Sequence, residues 1–271
     1  MVECLVDGQA VTTVPADDRG LLYGDGLFET IVFVDRAAPL WPYHWQRLVD
    51  GCSRLGLPAP DESVAHAECL RLAPSREPVI VRFTLTRGSG GRGYFPSSAA
   101  RARRIVQSRP WPDNYRKIQR DGLRLHTSPV RLAVGSSLAG LKHANRLEQV
   151  QAARACTEAG FDEALLFDAR GYLAEAIASN VVLELDGDLV APVSDSGVEG
   201  VGLSWLTAQT GTDLLRRRVS ADDLGRASAV MVINSVAGPR PVVVLDDRRL
   251  APGECCRSLQ SEWNKILDPD A

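Results

Sequence analysis

The stretch LAGLKHANRLEQV, residues 138–150, is the segment around which the rest of the chain can be arranged. It begins with apolar residues and a glycine, reaches Lys142, and continues with a helical spacing of apolar residues. The residues that recur on one helical face are Leu147, Val150 and Ala153. This spacing predicts a helix from about His143 to Thr157, with Lys142 at its start.

Outward from this segment, β-branched and apolar runs come in pairs separated by turn residues. The clearest runs are 79–85, 164–167, 172–177 and 181–185. Paired strands that do not alternate strictly with helices are typical of the α+β class. The run PWPDN, residues 110–114, breaks the pattern. We therefore expect a small N-terminal α/β domain over 1–109, a linker over 110–115 and a larger C-terminal α/β domain over 116–271.

The composition is that of an ordinary globular protein and excludes several functional classes. The 271 residues are 45% hydrophobic and 24% charged, with a formal net charge of -3. A nucleic-acid-binding face needs a clustered basic surplus, and a membrane span needs about 18 consecutive apolar residues. The sequence shows neither pattern. The six cysteines form no C-x-x-C pair, so we expect no metal site; their scatter and the lack of a leader pattern indicate a cytoplasmic protein.

Lysine is rare in this chain. Of 31 basic residues only three are lysines, at positions 117, 142 and 265. Unlike arginine, a lysine can lose its proton when burial disfavours the ammonium, and the neutral amine can attack an aldehyde. Lys142, which follows an apolar approach, is thus a candidate nucleophile. The alternative is a lysine at a helix start that extends into solvent.

Four other features could serve the same chemistry. Glu175 lies in the small apolar run LAEAIASN, where a carboxylate needs a positive partner such as a pyridinium nitrogen. The glycine-rich run GVEGVG, 197–202, precedes a predicted helix and offers backbone N–H groups to a phosphate. Arg47 could add a guanidinium and Ser235 a hydroxyl. Taken singly, each has an alternative interpretation as a solvated charge, a turn or a helix cap.

Two phosphate-binding motifs are present only in part. Gly88, Gly90 and Gly93 have the spacing G-x-G-x-x-G, but Pro96 follows where a dinucleotide-binding fold needs a helix. Gly135 and Gly140 bracket four residues as in a P-loop, but the lysine is displaced by one position. We therefore expect neither a Rossmann dinucleotide site nor a P-loop.

Taken together, these segments resemble the fold-type IV pyridoxal-phosphate enzymes. The matching stretches, in chain order, are YGDGLFET at 23–30, His44-x-x-Arg47-Leu48, the lysine segment, EAIASN at 175–180 and GVG at 200–202. The group includes branched-chain aminotransferases, D-amino-acid transaminases and aminodeoxychorismate lyases. The stretches RGSGGRGY at 87–94, SPVR at 128–131 and 138–150 look most like the lyases.

The resemblance implies a role for each candidate residue toward pyridoxal 5'-phosphate and substrate. Lys142 would hold the cofactor covalently and later move protons, with Thr30 as a second catalytic residue. Glu175 would bind the pyridine nitrogen. The implied phosphate ligands are Arg47, Val201, Gly202 and Ser235. The implied substrate-side residues are Arg92, Tyr94, Asn145 and Arg146. A departure from the group is Gly202, where transaminases often carry a hydroxyl residue.

The implied reaction is an elimination that converts 4-amino-4-deoxychorismate into 4-aminobenzoate and pyruvate, in folate synthesis. A homodimer is also implied, because in this group the small domain of one subunit helps to close the site of the other. Two alternatives remain open: an aminotransferase for D-amino or branched-chain amino acids, and a non-catalytic module that binds pyridoxal phosphate or a nucleotide.

Overall fold

The computed structural model describes residues 3–74, 76–112, 114–209 and 213–267. Contacts divide the chain into two compact units. The first is Met1–Trp111 with Lys142–Asn145, and the second is Pro112–Leu141 with Arg146–Ala271. Strands dominate both units and are mostly antiparallel, so the expected α+β class is confirmed. The boundaries of 1–109 and 116–271 stay a prediction; Asp113 of the linker lies outside the described residues.

The N-terminal unit is built on an antiparallel sheet in the order β1-β4-β3-β2. Its strands are β1 (Cys4–Val6), β2 (Gly26–Phe33), β3 (Val79–Thr86) and β4 (Arg103–Pro110). Its helices are α1 (Arg19–Tyr23), α2 (Trp41–Leu55) and α3 (Glu62–Arg71). In the sequence, Trp45, Leu48, Cys52 and Leu55 recur at helical spacing up to Gly56, which predicts a helix. That helix is α2, which ends with Gly56 in a left-handed conformation.

The two faces of this sheet differ in what they contact. Because side chains alternate along a strand, Glu29, Ile31 and Phe83 share one face, and all three line a cavity with α2 residues. Phe28 and Thr30 point to the opposite face. The strand β2 therefore presents two separate sets of side chains, one toward α2 and one away from it.

The C-terminal unit contains, among its described residues, a nine-stranded sheet in the order β10-β9-β8-β11-β12-β5-β6-β7, with β13 paired to β12. The strands are β5 (Leu123–Leu132), β6 (Glu163–Asp168), β7 (Leu173–Ala176), β8 (Asn180–Leu185), β9 (Asp188–Pro192), β10 (Leu214–Arg217), β11 (Ala229–Asn234), β12 (Gly238–Leu245) and β13 (Arg248–Arg249). The helices are α4 (Tyr115–Asp121), α5 (Leu147–Glu158), α6 (Val201–Gln209), α7 (Ala221–Arg226) and α8 (Glu254–Leu267).

The core of this unit lies against the sheet and is made mostly of aliphatic side chains. Its most buried members include Leu125, Leu165, Leu173, Leu183 and Val232. Burial of each such side chain contributes about 1.5–3 kcal/mol. None of the helices among the described residues combines the length and the apolar composition that crossing a bilayer requires.

The helix predicted from 143 begins later than expected. α5 starts at Leu147 with Arg146 as its N-cap residue. On α5 the apolar residues Leu147 and Val150 are 74% and 59% exposed. The side chains that α5 buries are Ala152 and Cys156. The spacing of apolar residues correctly predicted a helix here, but it does not determine which face of that helix packs against the sheet.

Candidate active site

Lys142 lies in an extended segment that follows the edge of β2 in the N-terminal unit. The Phe28 N–H donates to the Lys142 carbonyl (3.0 Å), and the Ala144 N–H donates to the Gly26 carbonyl (2.9 Å). Lys142 is thus held by strand-like pairing and not by the first turn of a helix. Its half-buried side chain places Nζ 4.6 Å from the centre of the Phe28 ring. A cation over an aromatic face is attracted by about 0.5–2 kcal/mol, so the ring helps to fix Nζ.

A buried ionic cluster lies on the helix-facing side of the same sheet. Glu29 Oε1 accepts a hydrogen bond from Arg47 Nε (2.8 Å), and Glu29 Oε2 accepts from both His44 Nδ1 (2.6 Å) and Arg47 Nη2. His44 and Arg47 are three residues apart on α2, which puts both on one helix face. Sequence reasoning named Arg47 but missed Glu29, which orients it. This contact depends on how α2 packs on β2, and the sequence alone does not give that packing.

The protonation states in this cluster follow from the arginine and from burial. Burial raises the pKa of Glu29, but Arg47 and His44 outweigh it and lower that pKa to about 2. Burial lowers the pKa of His44, although Glu29 partly opposes the shift. We infer a neutral His44 that donates Nδ1–H to an ionised Glu29. Its other ring nitrogen, Nε2, is buried and has no hydrogen-bond partner among the described residues.

Glu175 lies on β7 in the C-terminal unit and is 5% exposed. One carboxylate oxygen accepts the Val198 N–H (2.8 Å), and the other accepts from Gln149 Nε2 (3.3 Å). The glycine-rich run is therefore in direct contact with this carboxylate. Gln149, on α5, was not singled out from the sequence.

The glycine-rich run passes from a loop directly into α6. Asn180 fixes the loop by donating to the Val198 carbonyl (2.9 Å). A Cβ at Gly200 would lie 1.7 Å from Asn180 Oδ1, so this close approach requires glycine. The backbone N–H groups of Val201 and Gly202 open the first turn of α6, where the helix dipole favours an anion.

Close packing around position 202 explains why a glycine stands where transaminases often carry a hydroxyl residue. A Cβ at this position would lie 2.9 Å from the carbonyl carbon of Asn234, which is backbone and cannot easily shift. The same contact brings α6 against the turn that carries Ser235, immediately after β11. Asn234 closes that turn by accepting the N–H groups of Val236 (3.0 Å) and Ala237 (2.7 Å). The α6 N-terminus and the Ser235 turn are therefore neighbours.

The predicted substrate residues of the N-terminal unit lie on different elements. Thr30 is half-buried on β2, whereas Arg92 and Tyr94 are exposed on the glycine-rich loop after β3, Tyr94 to 83%. Arg19 supports this loop by donating to the carbonyls of Gly93 (2.8 Å) and Tyr94 (3.0 Å). The structure thus gives the loop a buried anchor, which the sequence did not reveal.

The expectation that Asn145 and Arg146 follow Lys142 along a helix is wrong. Asn145 belongs to the extended segment and donates to the Gly24 carbonyl (3.1 Å). Arg146 caps α5 and donates to the Leu141 carbonyl (2.7 Å). Both side chains therefore support the backbone around Lys142. Their predicted contact with substrate stays a prediction.

Comparison of this chain with known proteins identifies its family. Residues 26–245 match the family described as amino-transferase class IV. The chain is 30% identical over 242 residues to an aminodeoxychorismate lyase of Vibrio harveyi, covering 88% of this chain and 89% of that protein. Branched-chain aminotransferases are also among its relatives.

Solved structures agree with this family. The crystal structure of 4-amino-4-deoxychorismate lyase from Pseudomonas aeruginosa is 39% identical, with a TM-score of 0.90, and the match covers 98% of this chain and 99% of that one. A PLP-bound hypothetical aminotransferase from Mycobacterium tuberculosis is 22% identical, with a TM-score of 0.84 over 99% of this chain and 100% of that one. The expected two-domain fold of these enzymes is therefore confirmed.

Proposed function

The chain belongs to the class IV aminotransferase family, and on that premise we propose that it is a 4-amino-4-deoxychorismate lyase that releases pyruvate and 4-aminobenzoate. The observation that carries this proposal is the 39% identity to the Pseudomonas aeruginosa lyase along nearly the whole chain. The glycine-rich loop RGSGGRGY at 87–94 supports it, because it looks most like the loop of the lyases.

The family uses pyridoxal phosphate, and the residues present fit that group. The backbone N–H groups at the N-terminus of α6, those of Val201 and Gly202, suit a phosphate. Gly202 packs closely against the backbone carbonyl of Asn234. The buried carboxylate of Glu175 suits a pyridinium nitrogen. We propose that Lys142 holds the cofactor covalently, and that Arg47 and Ser235 add phosphate contacts.

The chemistry of the bound cofactor is that of an electron sink, which stabilises negative charge on the carbon next to the substrate's nitrogen. The protein's own residues do the rest. Lys142 takes the proton from that carbon, and the Phe28 ring keeps Nζ in a fixed position. Glu175 keeps positive charge on the ring nitrogen, with its carboxylate oriented by the Val198 N–H. We propose that Thr30, on β2, lies on the substrate side as a second catalytic residue.

Glu29 is expected to control the affinity for pyridoxal phosphate through Arg47. Replacing Glu29 by glutamine removes the charge that holds the guanidinium, and a hydrogen bond to a charged group contributes about 1.5–3 kcal/mol. We therefore expect Glu29→Gln to bind the cofactor about 10- to 100-fold more weakly in an absorbance titration.

The matched control for this prediction is Glu68→Gln. Glu68 is also buried and accepts two hydrogen bonds, both of 2.9 Å, from Arg104. It lies in the same unit, so its loss tests the general cost of breaking a buried ion pair. Equal cofactor affinity in the two variants would show that Glu29 has only a structural role.

The proposed activity is tested by incubating the protein with 4-amino-4-deoxychorismate and measuring pyruvate and 4-aminobenzoate. We expect equimolar products without an added oxo acid. A separate incubation with D-alanine and 2-oxoglutarate tests the aminotransferase alternative. Brisk transamination without pyruvate release from aminodeoxychorismate would overturn the lyase assignment. Homodimer formation and a cytoplasmic location stay predictions.

A further inference from the structure

Ser179 is a buried serine between β7 and β8, next to Asn180, which fixes the glycine-rich loop. Its hydroxyl has one proton to donate and can accept two hydrogen bonds. All three positions are used, because it donates to Glu163 Oε2 (3.4 Å) and accepts from Arg240 Nη2 (2.6 Å) and from Asn234 Nδ2 (3.2 Å). One hydroxyl therefore joins three separate strands, β6, β12 and β11.

Arg240 holds this hydroxyl from β12. Its side chain is 11% exposed, and the Glu163 carboxylate balances its charge at 3.3 Å. Hydrogen bonds from a charged donor are shorter and stronger than those between neutral groups. The contact of Arg240 with Ser179 is accordingly the shortest of the three that the hydroxyl makes. Arg240 thus fixes Ser179 more firmly than Asn234 does.

The same network reaches both parts of the proposed phosphate site. On one side, Asn234 bonds to Ser179 and also closes the turn that carries Ser235. On the other side, Ser179 directly precedes Asn180, whose side chain holds the loop that leads into α6. A displacement of the Ser179 hydroxyl would therefore disturb the Ser235 turn and the loop before α6 together.

We propose that Arg240 is a positioning residue for the phosphate of the cofactor, and that it acts through Ser179 on the Ser235 turn and on the loop before α6. The proposal rests on the proposed function, which places the phosphate at these two segments. Groups that bind a ligand must be held within about 0.5 Å of their productive geometry by the residues packed behind them. The sequence analysis singled out neither residue, and the two lie 61 positions apart in the chain.

The test compares Arg240→Gln and Ser179→Ala with a matched control, Arg217→Gln. Ser179→Ala removes the hydroxyl but keeps the ion pair of Arg240 with Glu163, so it tests the network even if Arg240→Gln fails to fold. Arg217, on β10 of the same unit, pairs with Asp223 of α7 at 3.1 Å. The control therefore breaks an arginine–carboxylate pair outside this network.

The decisive measurement is the phosphorus NMR resonance of pyridoxal phosphate bound at saturation, because its position reports the hydrogen bonds and charges around the phosphate. We expect Arg240→Gln and Ser179→Ala to shift this resonance. We also expect both to bind pyridoxal phosphate about 5- to 30-fold more weakly in an absorbance titration, as the loss of one or two hydrogen bonds predicts. Arg240→Lys, which can still donate to Ser179, should recover part of the affinity, and Arg217→Gln should resemble the wild type.

A resonance at the wild-type position in either folded variant, Arg240→Gln or Ser179→Ala, would overturn the proposal whatever the affinity of that variant. An equal shift in Arg217→Gln would also overturn it, because the effect would then be a general consequence of breaking an ion pair. Failure of the lyase assignment gives a different result. In that case the resonance would still shift in the two variants, but the wild type would release no pyruvate from aminodeoxychorismate.

Discussion

Replacing Lys142 by alanine is expected to abolish the absorbance of the covalently bound cofactor and to reduce pyruvate release at least about 10³-fold. The reason is that one side chain supplies both the attachment point and the proton carrier. Its Nζ is fixed over the Phe28 ring, and its backbone is paired with β2. The chain has two other lysines, Lys117 and Lys265, and both have exposed side chains.

The control for this prediction is Lys117→Ala, which removes an exposed lysine of α4. We expect the control to keep both absorbance and turnover. Borohydride reduction of the wild type followed by peptide mapping should find the cofactor on the peptide that contains residue 142. Retention of cofactor absorbance and turnover in Lys142→Ala would favour the non-catalytic binding module.

Replacing Glu175 by glutamine is expected to lower kcat about 10²- to 10³-fold while the protein remains folded. Removing one partner of a buried ion pair costs about 3–5 kcal/mol, and here the proposed partner is the positive ring nitrogen that makes the cofactor effective. The amide keeps the size of the side chain, and its oxygen can still accept the Val198 N–H. The absorbance maximum of the bound cofactor should shift in the same variant.

The matched control is Glu163→Gln, which also alters a buried carboxylate of the C-terminal unit. Glu163 pairs with Arg240 (3.3 Å) and accepts the Ala178 N–H (2.9 Å). This variant should lose stability, measured by urea unfolding, but keep the absorbance maximum. If both variants lose activity equally without a spectral shift, Glu175 is only a structural residue.

Several features could be predicted from the sequence because local chemistry is sufficient to identify them. Hairpin-spaced strands indicated an α+β fold, and the run before Gly56 indicated α2. A rare lysine after an apolar approach made Lys142 a candidate nucleophile, and a carboxylate among small apolar residues made Glu175 a candidate partner of a pyridinium nitrogen. Both roles stay predictions. Glycines before a helix indicated the α6 N-terminus.

Other features depended on neighbours far away in the chain. The segment 142–145 has a helical pattern, but pairing with Gly26 and Phe28 of β2 keeps it extended, so α5 begins only at Leu147. Hydrogen bonds to a sheet edge outweigh a weak local helix propensity. The exposure of Leu147 and Val150 on α5 likewise depends on the tertiary structure, since the spacing of apolar residues does not identify which face is covered.

The sequence by itself thus determined the chemical groups available to this protein: an amine, a carboxylate among small apolar residues and a glycine-rich run before a helix. Only the tertiary structure decided which charges meet. The contact of Glu29 with Arg47 depends on how α2 packs on β2, and the pairing of Arg240 with Glu163 depends on how β12 and β6 are placed in the C-terminal sheet. Electrostatic energy falls with distance through space, and the sequence alone does not set those distances.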